Sequence, residues 1–419
     1  LSILKQCLFP CNVQKILDLT YDGLTDPLGQ SQIIPYLQGL TKYGYQFTIL
    51  SFEKKERFLK DEDKIRQLLQ PYKIEWKALS FTKRPPLLAK MFDAFRMKRN
   101  AYLLQKKYCF DMIHCRSYLA ADVGLSMKKR FGVKFFFDMR GFWADEKVDN
   151  GQWDQNFFFF RSVYRYYKRK EKKFLLQANA VISLTEAASN EIRKNTDYRN
   201  VQVDVIPCCA DLTHFNYESA DKQKVLELRK QLGISPEQKI ITYLGSVGGW
   251  YMTKEMFSFY MRLLQRYPSF LMLFLTKDDP SKVLSEAFSA GIPNDKIIVT
   301  YSERKDLPTY LSLCDCSIFF IRPTYSKIAS SPTKRGELMG MGIPIICNDI
   351  GDTGEIIRKT NTGIIVDSFS DQEYDRVISQ FPKLLSIDKK NIRQAAFQYF
   401  DLVKGIIQYN EVYKRVFIS

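Results

Sequence analysis

Short apolar runs alternate with amphipathic stretches along almost the whole chain. In the first half, runs of strand length fall at Val13–Thr20, Gln46–Phe52, Lys73–Phe81, Asp111–Cys115, Val133–Met139, Ala180–Thr185 and Val201–Pro207. In the second half they fall at Lys239–Gly245, Ser269–Thr276, Lys296–Tyr301, Cys316–Ile321, Ile343–Asn348 and Thr362–Asp367. Most gaps hold segments of helical period. Met252–Tyr267, for instance, puts Met256, Tyr260, Leu263 and Leu264 on one face. Strand and helix in alternation predict an α/β protein whose parallel sheets are covered on both faces. The pattern breaks near Pro207–Lys224, where Pro207, Asp211, Asn216 and Glu218 interrupt it. The expected architecture is two Rossmann-like, doubly wound domains facing across a cleft, over residues 1–212 and 213–397. A last helix, about 398–419, is expected to pack back on the first domain. In such sheets ligands bind beyond the carboxyl ends of the strands.

Composition narrows the classes. At 419 residues the chain holds more than one domain. With 45% hydrophobic and 26% charged residues it is neither disordered nor fibrous. Lys and Arg total 63 against 46 Asp and Glu, for a net charge of +17. Residues 1–215 hold 36 basic and 23 acidic residues, so +13 of that surplus lies in the first half. A polyanion, a phosphate-bearing ligand and an anionic membrane all fit such a charge. The nine cysteines (7, 11, 109, 115, 208, 209, 314, 316 and 347) are odd in number and lack a repeating spacing. They argue against a disulfide framework or a zinc site and suit a reducing cytosol. The only histidines, His114 and His214, exclude chemistry that needs several imidazoles. Leu1–Asn12 lacks a signal-peptide apolar region, and no run of 18 apolar residues predicts a membrane span.

The segment Ser326–Met339 carries the most chemistry. Ser331 followed by Pro332 reads as a helix N-cap with proline at the first helical position, and Thr333 follows. Such an N-terminus is an anion site. Lys334 in the first turn is unfavourable for the helix alone, a conflict that a bound phosphate removes. Glu337, one turn on, suits a ribose diol. The competing reading is a surface Lys–Glu pair beside an ordinary cap. Tyr243–Trp250, with Gly245 and Ser246, lies at a strand end where glycine lets a phosphate approach the backbone, or simply makes a turn. Asp22–Gln32, with Gly29, occupies the equivalent place in the first half and matches neither the Walker nor the GxGxxG pattern.

The sequence resembles the retaining GT-B glycosyltransferases of family 4. The resemblance rests on the Gly29 loop, Asp111–His114, Ile206–Asp211 with Phe215, Gly245, Glu337–Pro344, Ile350–Ile357 and Thr362-Gly363. It implies transfer of a sugar from a nucleotide-sugar, UDP being the favoured base, with retained configuration. Glu337 matches the second glutamate of the family's E-x7-E motif, which holds the donor ribose. The first falls at Ala329, and Lys327 or the Ser330–Ser331 backbone is expected to take over its sugar contact. The arginine that usually follows the phosphate-loop glycine is replaced by Ser246, and the family's nearby lysine corresponds to Lys254 or yields its role to Lys334. The strand-end HxH reads His114-Cys115-Arg116. These departures describe a variant with an SPTK donor loop.

No cofactor or metal is expected, because Lys334 and helix N-termini can neutralise the leaving diphosphate. Asp61-Glu62-Asp63 formally matches a metal-binding DxD, but it sits among Lys60, Lys64 and Arg66 and reads as a solvated helix face. On the acceptor side, Asp138–Glu146 follows the fifth strand. There Arg140 is a candidate for binding a phosphate, and Asp145 or Glu146 for orienting the acceptor hydroxyl, with His114 and Arg116 nearby. Phe157, Phe160, Tyr164, Tyr167 and Phe174 share one helical face, while Phe158, Phe159 and Tyr166 spill onto others among Arg161, Arg165, Lys168 and Arg169. That mix suits an interfacial helix on anionic lipid.

The expected acceptor is therefore a glycan or lipid-linked molecule. The expected place is the cytoplasm, peripheral on the cytosolic face of the inner membrane, in bacterial cell-surface polysaccharide or glycan synthesis. Oligomeric state stays open. The alternatives are a GT-B epimerase or a noncatalytic nucleotide-sugar scaffold, and then a nucleic-acid-binding protein, for which no motif is present.

Overall fold

The computed structural model describes residues 13–84 and 86–418. Cys7, Cys11 and the N-terminal segment considered for a signal sequence lie outside them. The seven strands of the first half are β1 (Gln14–Leu19), β2 (Tyr45–Glu53), β3 (Glu75–Ser80), β4 (Met112–Arg116), β5 (Lys134–Asp138), β6 (Ala180–Ser183) and β7 (Val203–Val205). The second half supplies β8 (Lys239–Leu244), β9 (Phe270–Leu275), β10 (Ile297–Thr300), β11 (Cys316–Phe319), β12 (Ile345–Asn348) and β13 (Gly363–Val366). Each lies inside or within a residue of its expected run. Central strands such as β9, FLMLFL, are buried on both faces, which is why they read as continuous apolar runs rather than alternating ones.

The two sheets are wholly parallel, with orders β3-β2-β1-β4-β5-β6-β7 and β10-β9-β8-β11-β12-β13. Strand order reverses at β1/β4 in one and at β8/β11 in the other, the switch points where doubly wound sheets bind ligands. The result is a GT-B arrangement of two Rossmann-like units. Between them the chain runs from β7 to the helix Lys222–Gln231, through a short turn at Tyr217–Ser219.

The expected last helix is Leu402–Ile418, and a separate helix precedes it. Lys389–Tyr399 buries Ile392, Ala395 and Ala396 in the core around the second sheet. After Asp401, whose backbone bridges Ala210, Leu402–Ile418 buries Tyr409, Val412, Tyr413 and Val416 against the first. No helix among the described residues is long and apolar enough to cross a membrane.

Candidate active site

The carboxyl edge of the second sheet is built around Lys334. β8 ends at Leu244, and Gly245 follows with φ +122°, a conformation that favours glycine. The loop beyond is pinned where Tyr251 bridges Ile321, and Met252 N–H donates to the Phe320 carbonyl at 3.0 Å. From the facing helix, Thr333–Gly340, Lys334 reaches back toward this edge. Its Nζ lies 3.6 Å from the ring centre of Tyr251, 4.3 Å from that of Tyr243 and 5.6 Å from that of Phe319. A Cβ on Gly245 would come within 2.9 Å of it. The Nζ is buried without a hydrogen-bond partner, and burial pulls its pKa well below the lysine range. Aromatic faces attract an ammonium but accept no strong hydrogen bond from it. The surface Lys–Glu reading is therefore wrong. Lys334 is buried in this cage, and Glu337 is buried too, its Oε1 taking Nη1 of Arg304 at 2.7 Å.

The cap differs by one residue. Pro332 is the N-cap, and Ser331 is engaged elsewhere. Its Oγ accepts from the Cys208 N–H at 3.2 Å and from Arg335 Nη2 at 3.4 Å, so the segment linking the sheets has displaced the helix as its partner. Arg335 is fully buried over the Phe400 ring, with Nη1 donating to Thr353 Oγ1 at 2.7 Å, and burial brings its pKa down to about 10. Lys327 is nearly buried, 3.8 Å above Trp250 and 3.2 Å from Glu146 Oε1. Ser246 is exposed, its carbonyl accepting from the Tyr243 hydroxyl. Lys254 is exposed in the first turn of Thr253–Arg266, so the cation beside the glycine is Lys334 instead.

The first-domain edge centres on Asp138, at the end of β5. Its Oδ2 accepts from Arg116 Nη1 at 3.2 Å and from Tyr409 hydroxyl at 3.1 Å, with Arg140 Nη1 at 3.8 Å and His114 Nε2 at 3.5 Å. Burial alone would raise this carboxyl. Arg140, the contact with His114, and Arg116 outweigh it and hold the group below the carboxylate range. Arg140 has φ +58°, a strained backbone for a side chain of its size, and its Nη2 reaches Cys208 Sγ at 3.1 Å.

Three acceptor-side expectations are corrected. His114 is enclosed beneath Leu402–Ile418, its Nδ1 2.6 Å from the Tyr413 hydroxyl, so it does not face the cleft. Asp145 is buried and accepts from Tyr164 hydroxyl at 2.7 Å and Lys168 Nζ at 2.9 Å, which turns it away from an acceptor. Lys168, half-buried and bound also to Glu171 at 2.6 Å, has its charge taken up by these two carboxylates and is not a free surface cation. Glu146 does reach the cleft, where it meets Lys327. Gly29 is buried in the short helix Pro27–Gln32, packed against the Gly23 carbonyl and not open to a ligand. Glu53 holds that loop through Leu24 N–H at 2.7 Å and Thr25 N–H at 3.1 Å.

On the helix Phe158–Gln177, Phe158 is 79% exposed and Phe159 57% exposed, with Arg161, Arg165 and Arg169 also exposed. Phe157, expected on the buried face, is exposed because it precedes the first helical residue. Asp61-Glu62-Asp63 lies on the helix Lys55–Leu69, where Glu62 pairs with Arg66. Among the described residues no three His, Cys, Asp or Glu gather where they could hold a metal ion.

Two family models match in tandem, Glycosyltransferase Family 4 over residues 34–214 and Glycosyl transferases group 1 over residues 224–398. Together they cover well over half of the chain. The chain belongs to the GT4-like GT-B glycosyltransferases. Among curated proteins this transferase is 20% identical over 312 residues to D-inositol 3-phosphate glycosyltransferase of Rhodococcus opacus (strain B4), a match covering 71% of this chain and 66% of that protein. It thus spans just under two thirds of that relative's length. Among solved structures it superposes on a glycosyltransferase from Rickettsia africae ESF-5 with TM-score 0.68 and 16% identity, covering 97% of this chain and 99% of that one. It also superposes on Anabaena Alr3699/HepE in complex with UDP-glucose with TM-score 0.67 and 16% identity, covering 96% and 99%. At such identities the structural matches establish the shared fold.

Several residues of the transferase's cleft have roles that the sequence reading did not assign: Asp138 as the node, the Tyr243–Tyr251 cage, Arg304, and Asp352. Only the cage had a local signal, tyrosines flanking a glycine-rich strand end. The others act across the fold. Asp352 accepts the N–H groups of Glu186 at 2.7 Å and Ala187 at 2.9 Å, so a second-domain carboxylate caps a first-domain helix.

Proposed function

We propose that this glycosyltransferase is retaining and metal-independent. It moves a sugar from a nucleotide-sugar, a UDP-sugar foremost, to a glycan or lipid-linked acceptor at the cytosolic membrane face, in bacterial cell-surface polysaccharide or glycan synthesis. The observation that carries the reading is the buried Lys334 Nζ beside Gly245, without a hydrogen-bond partner. A diphosphate beyond β8 would give this ammonium its counter-ion and receive the N–H groups of Thr333–Gly340. Glu337 would take the ribose. Charge developing on the leaving diphosphate is then stabilised by groups fixed in advance, an arrangement that commonly dominates enzymatic rate enhancement. From the first domain, Arg140 and Arg116 offer positive charge at the opposing edge. That suits an acceptor bearing phosphate, as the D-inositol 3-phosphate of the relative's name does. Glu146 is the carboxylate nearest the role of orienting an acceptor hydroxyl.

The membrane part of the proposal rests on the exposed Phe158 and Phe159 with Arg161, Arg165 and Arg169, and on a second helix, Pro86–Tyr108. That helix exposes Leu88, Met91, Phe92 and Phe95. Its Lys90 lies 5.0 Å from the Trp143 ring, which in turn packs on Tyr167, so the two helices border one surface.

The test is thermal shift with UDP-, GDP- and CMP-sugars, repeated on Lys334→Ala and Glu337→Ala. Stabilisation by one of them, lost in both variants, is expected. Failure of all three overturns the reading. Binding without transfer to any glycan or lipid acceptor would instead favour a noncatalytic scaffold, the role to which Ala329 at the first motif position would point.

A further inference from the structure

Glu337 is nearly buried, and a carboxylate there is costly unless paired. Its partner does not come from its own helix. Arg304 lies in the loop after β10 and brings Nη1 to 2.7 Å from Glu337 Oε1. Arg304 is itself held from two sides. Its guanidinium sits 5.1 Å from the Phe215 ring centre, and its carbonyl accepts from His214 Nε2 at 2.8 Å. His214 and Phe215 belong to the segment that joins the two sheets, and Asp211 braces that segment through the N–H groups of Thr213 and His214.

We propose that Arg304 is a positioning residue for nucleotide recognition. It occupies Oε1 of Glu337 and fixes the carboxylate plane so that Oε2 is presented to the ribose hydroxyls. The inference rests on the ribose role proposed above for Glu337. The physical reason is directional. A carboxylate free to rotate offers either oxygen to either hydroxyl, and part of the binding energy goes into stopping that rotation. A planar guanidinium seated on an aromatic ring holds it beforehand, which a lysine cannot do with the same geometry. Lys334, one turn away, adds positive potential near Glu337 but makes no hydrogen bond to it.

The experiment measures, by titration calorimetry on the full chain, the affinity of UDP or GDP, whichever binds tighter, and of its 2′-deoxy and 3′-deoxy forms. In the wild type the ribose form is preferred, and Glu337→Ala abolishes the preference. Arg304→Ala is expected to weaken the ribose form about tenfold while leaving the deoxy forms nearly unchanged. Arg304→Lys should recover only part of the loss. A merely structural role would weaken all three ligands alike. If Arg304→Ala keeps the wild-type preference, or binds the ribose form more tightly, the proposal is overturned while the Glu337 assignment stands. If Glu337→Ala itself keeps the preference, the ribose assignment falls and this proposal with it.

Discussion

The Nζ of Lys334 lies 3.6 Å from the ring centre of Tyr251, inside a cage that offers it attraction but no hydrogen bond. Placing it there opposes stability, because a buried amine without a partner loses its hydration. A group kept at such a cost is commonly functional. Lys334→Met, similar in length and apolar, should therefore raise folding stability by about 1–3 kcal/mol. Activity with the nucleotide-sugar should fall by about a hundredfold or more, the order seen when one preorganised charge is removed from a transition state. Thermal melts and steady-state kinetics on the same preparation check both halves. A variant that loses activity and stability together would make Lys334 a structural residue.

The same lysine predicts a pH signature. Burial sets its pKa in the folded protein well below the 10.5 of an ordinary lysine. Between those two values the unfolded chain binds more protons than the folded one, so folding stability rises with pH. The stability deficit of wild type relative to Lys334→Met should be greatest at low pH and narrow as pH climbs toward 10. Lys90, also lowered by burial, to about 8, and Lys327, lowered likewise, shift both proteins equally and cancel in the difference. Melting midpoints of the pair across neutral to alkaline buffers give the result, and a constant gap would contradict it.

What the sequence disclosed depended on how far each interaction reaches along the chain. Strands such as β9 were readable because burial on both faces leaves an unbroken apolar run. The placement of Lys334 and Glu337 near a helix start was readable from spacing within one turn. His114 misled because a strand-end position says nothing about what covers it. The cover is Tyr413, 299 positions away. Asp145 and Lys168 were each assigned to a surface, one catalytic and one membrane-facing, because nothing local reveals that two neighbouring helices turn them toward each other. The Ser331 cap failed similarly, its hydroxyl taken by the backbone of Cys208. Polar pairing across the fold decided these misses, whereas Gly29 was closed by its own loop and Phe157 freed by its place before the first helical residue.

Asp352 joins the two domains by capping a helix that belongs to the other one. Thr185 caps Ala188 at 3.1 Å, and Asp352 supplies the acceptors for Glu186 and Ala187, so removing the carboxylate leaves two N–H groups of Glu186–Lys194 unmet. Asp352→Ala should cost about 1 kcal/mol of stability. It should also loosen the cleft, seen as a larger radius of gyration in solution scattering without nucleotide. Asp352→Asn, which keeps an acceptor for one N–H, should fall between. Identical melting and scattering for the alanine variant and wild type would remove Asp352 from any role in closure.

The helix Phe158–Gln177 presents two kinds of cation, and they should separate in a membrane assay. Arg165 and Arg169 are exposed beside Phe158 and Phe159, whereas Lys168 is half-buried and paired with Asp145 and Glu171. Charge reversal at Arg165 and Arg169, or serine at Phe158 and Phe159, should abolish flotation with vesicles containing phosphatidylglycerol and leave the melting temperature nearly unchanged, since exposed positions contribute little to folding. Lys168→Ala should do the reverse, lowering stability by about 1–3 kcal/mol because the buried Asp145 and Glu171 lose their cation and keep only the hydroxyls of Tyr164 and Tyr118, while flotation of the folded fraction persists. Wild type should float with anionic vesicles and remain behind with pure phosphatidylcholine, because each exposed cation near an anionic surface adds about 1 kcal/mol to binding. Equal recovery from both vesicle types would show that this basic, aromatic face does not recognise anionic lipid.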